Sequence, residues 1–206
     1  MNIGIMGGTF DPIHNGHIML AEKALMQYDL DEIWFLPNGN PPHKQGIRTK
    51  EQVRHRVRMV EAAIRSRSSF RLSLYEVERR EVSYSYATME HFRQVYPEHR
   101  FYFIIGADSL MTLEFWKNPE RLFRTCVLLA ACRDDVDNLH VEQKIQELHR
   151  RYRSDIRLLT APRLPISSHE IRSLLAEGKL EQASQFIPPA VTDYIRQHGL
   201  YQRTEG

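Results

Sequence analysis

The 206-residue chain reads as a single α/β domain, residues 1–206: a Rossmann-like parallel sheet with helices on both faces and a short helical C-terminal segment. Three observations predict this. Strand-length runs that are apolar throughout alternate with segments of helical periodicity, the pattern of a sheet covered on both faces. The residues just after those runs carry most of the chemistry, where a parallel sheet places its ligand. No repeat, low-complexity tract or linker divides the chain.

The elements follow in order. "NIGIM" (2–6) reads as a buried strand ended by glycines. Residues 17–28 space Ile18, Leu20, Ala21, Ala24, Leu25 and Tyr28 as a helix does. "EIWFLP" (32–37) is a second strand, stopped by Pro37 and followed by a loop holding Pro41, Pro42 and Gly46. "TKEQ" (49–52) fits a capping box and opens a helix running to about residue 65. "FRLSLYEVE" (70–78) alternates and reads as strand or extended chain. Residues 86–96 are helical, "FYFIIG" (101–106) and "CVLLAAC" (126–132) are buried strands, 138–152 is a helix, and "DIRLLT" (155–160) a last short strand. Residues 166–201 read as two or three short helices. Connections between parallel strands should be right-handed.

Bulk properties narrow the function. Hydrophobic residues make up 42% of the chain, enough for a substantial core, and 28 basic residues face 26 acidic ones. That balance argues against bulk nucleic-acid binding, and runs such as "RHRVRM" and "RRYR" read as solvated helix faces. The two cysteines, Cys126 and Cys132, match no zinc spacing and read as buried thiols in a reduced compartment. "MNIGIM" is too short for a signal peptide and no stretch could span a bilayer. A soluble, cytoplasmic protein with no membrane partner is the expectation.

The first post-strand segment is "GGTFDPIHNGH" (7–17). Gly7 and Gly8 allow a sharp turn and close approach of backbone to ligand, and the helix that follows offers its positive end to an anion. It is neither the dinucleotide fingerprint nor a P-loop. His14 and His17 can donate to phosphate oxygens. A metal pair is the weaker idea, since no Glu completes a His-Glu-x-x-His helix and no third ligand is evident. "SSHE" (167–170) fits a second capping box, and Arg172 in its first turn can reach the same phosphates. Asp108, after the "FIIG" strand, is equally readable as a helix N-cap.

"GGTFDPIHNGH" resembles the first signature of the nucleotidylyltransferase superfamily, whose core (H/T)-x-G-H is here His14-Asn15-Gly16-His17. "PISSHEIR" resembles the second, I-S-S-x-x-x-R, ending at Arg172. "LPNGNPPHK", "SYSYATM", "FIIGADSL" and the Trp116 segment resemble one member family, the bacterial nicotinate-nucleotide adenylyltransferases, so that the likeness runs from Asn2 to about Tyr201. The resemblance implies ATP plus nicotinate mononucleotide giving deamido-NAD and pyrophosphate, with Mg²⁺ carried on ATP and no protein metal site. It implies catalytic roles for His14, His17, Lys44 and Arg172. It places Gly7, Gly8, Thr9, Phe10, Gly106, Asp108, Ile166, Ser167, Ser168 and Ile171 around ATP, and Asn38, Ser85 and Trp116 around the acceptor.

Four positions depart from the pattern: His169 stands where Thr or Ser is frequent, Ser85 replaces Thr, Ala87 an acidic residue, and Lys117 an aromatic. Two alternatives stay open on sequence: the same chemistry with another acceptor (nicotinamide mononucleotide, phosphopantetheine or a cytidylyl-transfer substrate), and a non-enzymatic nucleotide-binding module. The pantetheine enzymes usually carry Thr where His14 stands. A binding module would be expected to lose His14, His17 or Arg172. A homodimer is the base-rate expectation.

Overall fold

The structure is a computed structural model and describes residues 1–40, 49–79, 81–133, 138–162 and 167–202. Six strands form one parallel sheet: β1 (Asn2–Gly8), β2 (Glu32–Pro37), β3 (Phe70–Leu72), β4 (Arg100–Gly106), β5 (Val127–Arg133) and β6 (Ile156–Ala161). Their order is β3-β2-β1-β4-β5-β6. Chain direction across the sheet therefore reverses between β1 and β4, which are paired from Asn2↔Arg100 to Met6↔Ile104. That switch opens a crevice at their carboxyl ends, the place where ligands bind in such sheets.

Helices α1 (Asn15–Tyr28), α2 (Lys50–Ile64) and the C-terminal α7 (Ser168–Ala176), α8 (Leu180–Ser184) and α9 (Pro189–His198) cover one face. Their core joins Ala21, Met59, Ile171 and Val191 to Met6, Phe35 and Leu129 of the sheet. The other face is covered by α3 (Ser85–Val95), α4 (Ala107–Met111), α5 (Pro119–Phe123) and α6 (Leu139–Tyr152). There Met89, Leu110, Leu122 and Leu148 pack against Ile3, Ile5, Phe103 and Leu128. Alternate residues of β1 thus feed opposite cores, which is why its sequence is apolar throughout. The outer edge of β6 is closed by α1. The Gln27 side chain bonds both the N–H and the C=O of Thr160, and the Tyr28 hydroxyl donates to Leu158 O. Free strand edges are aggregation hazards, and this one is masked.

Three expectations need correction. β1 does not stop at residue 6: it runs through both glycines to Gly8. Only Phe70–Leu72 of the alternating stretch is strand, because the chain then turns away at Leu74–Glu78 to build a wall of the cavity described below. Residues 107–123, unassigned from sequence, form α4, a 3₁₀ turn (Leu113–Phe115) and α5. These pieces are too short to show periodicity. No helix among the described residues is long and apolar enough to cross a membrane.

Candidate active site

The segment after β1 is built by position-specific chemistry. Gly7 and Gly8 do not make the turn. The left-handed residue is Phe10, at φ 50°, followed by a cis peptide at Asp11–Pro12. Phe10 is 1% exposed, its ring packed edge-on to His17 and near Phe35. A Cβ on Gly8 would lie 3.0 Å from that ring, so a larger residue there would have to push the ring aside: the glycine serves close packing and not the turn. The buried ring anchors an otherwise costly backbone conformation.

Helix α1 then begins with a capping box made of two imidazoles. His14 is the N-cap, and its Nδ1 accepts the Gly16 N–H at 3.2 Å while His17 Nδ1 accepts the His14 N–H at 3.2 Å. The ring centroids lie 3.8 Å apart, with the planes tilted by 36°. In a neutral imidazole one nitrogen accepts and the other carries the proton. Both rings are therefore Nε2–H tautomers, with their Nε2–H donors left over. Burial pushes His14 down from 6.5 to about 4. Burial, and then the charge of His14, push His17 well below the ordinary value. Both rings are neutral donors at physiological pH.

The expected cradle of helix N–H groups is not what the chain supplies at α1. The Asn15 N–H donates to Phe186 O at 2.8 Å and the His17 N–H to His14 O at 3.0 Å, while that of Gly16 is held by His14. The helix dipole still favours an anion nearby, but the protons on offer are those of the rings.

Arg56 explains why the strand ends stay in register. It lies on α2, 2% exposed. Its Nη1 donates to Thr9 O at 2.7 Å and Nη2 to Asn38 O at 2.9 Å. Asn38 also donates from Nδ2 to Thr9 Oγ1 at 3.2 Å, and its backbone N–H reaches Gly8 O at 2.9 Å. One guanidinium thus clamps the carboxyl ends of β1 and β2. The reading of "RHRVRM" as a solvated face fails here. The missed signal was spacing: Arg56 shares a helix stripe with Met59, Val60 and Ala63.

The second motif docks on the first. Arg172 Nη1 donates to Asp11 O at 2.6 Å, and Ser168 Oγ to Pro12 O at 3.0 Å. Ser167 caps α7 in a capping box with Glu170, whose carboxyl is held below its usual range by the Ser167 hydroxyl and N–H. Ile171 is fully buried, its side chain packed into the core of that face. From the far end of the chain, the Tyr201 hydroxyl donates to Asp11 Oδ1 at 2.7 Å. Burial and the Asp11 charge raise its pKa. Nothing in the sequence flagged Tyr201 as part of this loop.

Gly106 ends β4, and a Cβ there would meet no protein atom within 4 Å, which leaves that side of the crevice open. Gly106 itself is the N-cap of α4, so Asp108 is not the cap but an exposed residue of the first turn. Beside β1 a cavity of about 540 Å³ is lined by Gly8, Asn38, Ser85, Tyr86, Trp116 and Lys117, among others. All three residues expected around the acceptor (Asn38, Ser85 and Trp116) meet there. Its wall is fixed by close packing: a Cβ on Gly39 would lie 2.0 Å from Glu76 O. Tyr86 lies under the Arg121 guanidinium, which is bidentate to Glu90. Lys44 and Ile166 lie outside the described residues.

A six-stranded sheet with its switch at β1/β4, and a helix that starts with paired imidazoles just after β1, is the arrangement of a nucleotide-handling α/β protein. The cytidylyltransferase-like family model matches residues 5–174. The chain is 42% identical over 199 residues to a probable nicotinate-nucleotide adenylyltransferase of Lachnoclostridium phytofermentans, covering 97% of this chain and 98% of that one. It is 40% identical to the Clostridium kluyveri protein of the same description, over 96% and 98% of the two chains. Among solved structures, a Plasmodium falciparum nicotinic acid mononucleotide adenylyltransferase complexed with NaAD superposes with a TM-score of 0.77 at 25% identity, covering 97% of each chain. The chain belongs to the nicotinate-nucleotide adenylyltransferase family.

Proposed function

We propose that the protein transfers the adenylyl group of ATP to nicotinate mononucleotide, releasing pyrophosphate and forming deamido-NAD. The observation that carries this reading is the His14–His17 box: two neutral Nε2–H donors held by backbone bonds at the start of α1, in the loop that follows β1. The nucleophile is an oxygen of the acceptor's own phosphate. It forms a bond to the α-phosphorus as the bond from that phosphorus to the β-bridging oxygen breaks, and the electron pair leaves with pyrophosphate. The acceptor phosphate is already ionised, so no protein nucleophile or base is needed. The work of the chain is positioning and stabilisation of charge on the phosphates.

In this reading His14 and His17 donate to the triphosphate and to the charge that develops on departure of pyrophosphate. Arg172, held through Nη1 by Asp11 O, turns its remaining donors to the same oxygens. Lys44 supplies a further point charge. Gly7, Gly8, Thr9, Ser167 and Ser168 shape the phosphate end, and Gly106 with Asp108 borders the adenosine. Phe10 and Ile171 act from beneath, as the packing that holds those residues. Asn38, Ser85 and Trp116 receive the nicotinate nucleotide. Mg²⁺ is read as travelling on the triphosphate. When bound it neutralises phosphate charge.

The test is pyrophosphate release from ATP and Mg²⁺ with nicotinate mononucleotide, nicotinamide mononucleotide or phosphopantetheine as acceptor. A large preference for the first is the expected result. Preference for another would keep the phosphate chemistry and overturn the acceptor.

A further inference from the structure

We propose that Tyr201 is a positioning residue for the reaction: its hydroxyl holds the Asp11 carboxylate away from Arg172 and so keeps that guanidinium free for the triphosphate. The inference rests on the adenylyl-transfer reading above and adds to it a residue which that reading does not use. Asp11 stands in the first loop, between left-handed Phe10 and the cap of α1. It presents two different groups to its neighbours. Its carbonyl accepts from Arg172 Nη1 at 2.6 Å. Its carboxylate is a negative charge beside a guanidinium assigned to phosphate.

Left alone, such a carboxylate has an obvious partner. An aspartate side chain is short and turns about χ1, so a guanidinium bonded to its own carbonyl lies within its swing. Carboxylate and guanidinium make strong charge-assisted pairs, bidentate where the geometry allows. A pair formed here would occupy donors that the triphosphate needs and set a like charge against the phosphates. The structure shows the opposite arrangement. Asp11 Oδ1 accepts the Tyr201 hydroxyl at 2.7 Å. Among the described residues Arg172 makes no ion pair, with Asp11 or with any other carboxylate.

The chain after α9 is built to bring this hydroxyl there. The helix closes in a Schellman motif: Gly199 is left-handed at φ 58°, its N–H reaches Arg196 O at 3.3 Å, and the Leu200 N–H reaches Ile195 O at 3.1 Å. Leu200 and Tyr201 then pack against the core of that face. Tyr201 is itself left-handed, at φ 67°, a conformation that costs a non-glycine residue free energy and persists only where its surroundings fix it. Its ring is half-buried, and its hydroxyl also lies 3.9 Å from Met59 Sδ on α2. Arg172 and Arg56 are close enough for their charges to act on the same hydroxyl, which burial and the Asp11 charge keep protonated. A neutral O–H donor suits this place, because it directs the carboxylate without adding a cation that would compete for the phosphates. A phenylalanine ring would fill the same space, so the hydroxyl alone can be tested.

The test is a double-mutant cycle of wild type, Tyr201→Phe, Asp11→Asn and the double variant, with circular dichroism confirming the fold of each. Two quantities are read: the Kd for ATP with Mg²⁺ in the absence of acceptor, by calorimetry, and the KM of each substrate in pyrophosphate release. Wild type comes first: if it does not bind ATP, the adenylyl-transfer reading is wrong and this inference falls with it. Given binding, Tyr201→Phe should weaken ATP about tenfold, the size of a hydrogen bond to a charged group. The KM of nicotinate mononucleotide should change by no more than about twofold. On the Asp11→Asn background there is no charge to turn on Arg172, and the same loss of hydroxyl should cost no more than about twofold in ATP affinity. A hydroxyl that only braced the loop would cost the same on both backgrounds, because asparagine offers it the same acceptor oxygen. Equal losses on the two backgrounds would therefore overturn the proposal. So would an unchanged ATP affinity in Tyr201→Phe, or a loss shared equally by both substrates.

Discussion

Helices α1 and α7 meet at the same crevice and both start with a reciprocal capping box, yet the two boxes leave different chemistry behind. At α7, Ser167 and Glu170 satisfy one another. The residue that reaches back is a carboxylate, a group that suits a helix start but repels a phosphate. At α1 the same two positions are His14 and His17. Each ring uses Nδ1 for the cap and keeps a proton on Nε2. A serine–glutamate box is complete once formed, whereas a histidine–histidine box still has two donors to give. The pair can therefore be structural and chemical at once, while α7 contributes mainly through Arg172 and its grip on residues 11 and 12.

The largest effect expected from this difference is on turnover. His17→Ala removes one phosphate donor and should lower kcat about 10²–10³-fold, the usual loss for one preorganised donor to a developing oxyanion. Pyrophosphate release checks it, with circular dichroism confirming that the fold survives. A near-normal rate would end the claim that the α1 box carries the chemistry. Nitrogen NMR of the imidazoles sharpens it: both rings should report Nε2–H tautomers in the free protein.

Next comes the clamp beneath both loops. Arg56→Met keeps the apolar stem but leaves the Thr9 and Asn38 carbonyls without their shared donor. Part-buried acceptors that lose their donor cost roughly 1–3 kcal/mol, a fall in Tm of roughly 2–12 °C for a chain of this size. Thermal unfolding reads it directly. A Tm within a degree or two of wild type would show that the strand ends are held by the sheet alone.

How much of this was visible in the sequence divides along the same line. The sheet and its two covered faces were legible, because parallel strands buried on both faces are apolar throughout and helices are not. His14, His17 and Arg172 were legible as a motif. What was hidden depends on contacts between distant residues. That Gly8 packs tightly against the Phe10 ring, that α1's first N–H groups are already used, and that Tyr201 reaches Asp11 are facts of tertiary packing. Arg56 was the avoidable miss, since its place on an apolar helix stripe was in the sequence all along.

The pH dependence of stability gives a smaller, signed effect. His14 falls from 6.5 to about 4 on folding, so the unfolded chain takes up its proton first as pH drops. The stability linked to this ring is intact above about 6.5 and is lost as pH falls toward 4; His17 acts in the same direction. The linkage amounts to about 2–3 kcal/mol for His14. His14→Asn, which keeps a capping acceptor, should lose less stability than wild type between pH 6.5 and 4 in denaturant titrations. Parallel losses in the two proteins would mean that the ring is not held neutral by burial.

The smallest effect tests the other half of the comparison. Ser167→Ala breaks the α7 box by removing the hydroxyl that accepts the Glu170 N–H at 3.3 Å and donates to its carboxylate at 2.7 Å. Loss of an N-cap hydroxyl costs about 1 kcal/mol, and denaturant unfolding should show that shift. Turnover should fall by no more than about tenfold, because the Arg172 and Ser168 contacts that dock α7 on the first loop come from other side chains. A loss in kcat as large as that of His17→Ala would make the two helix starts chemically equivalent. The contrast between a spent box and one with donors to spare would then have to be abandoned.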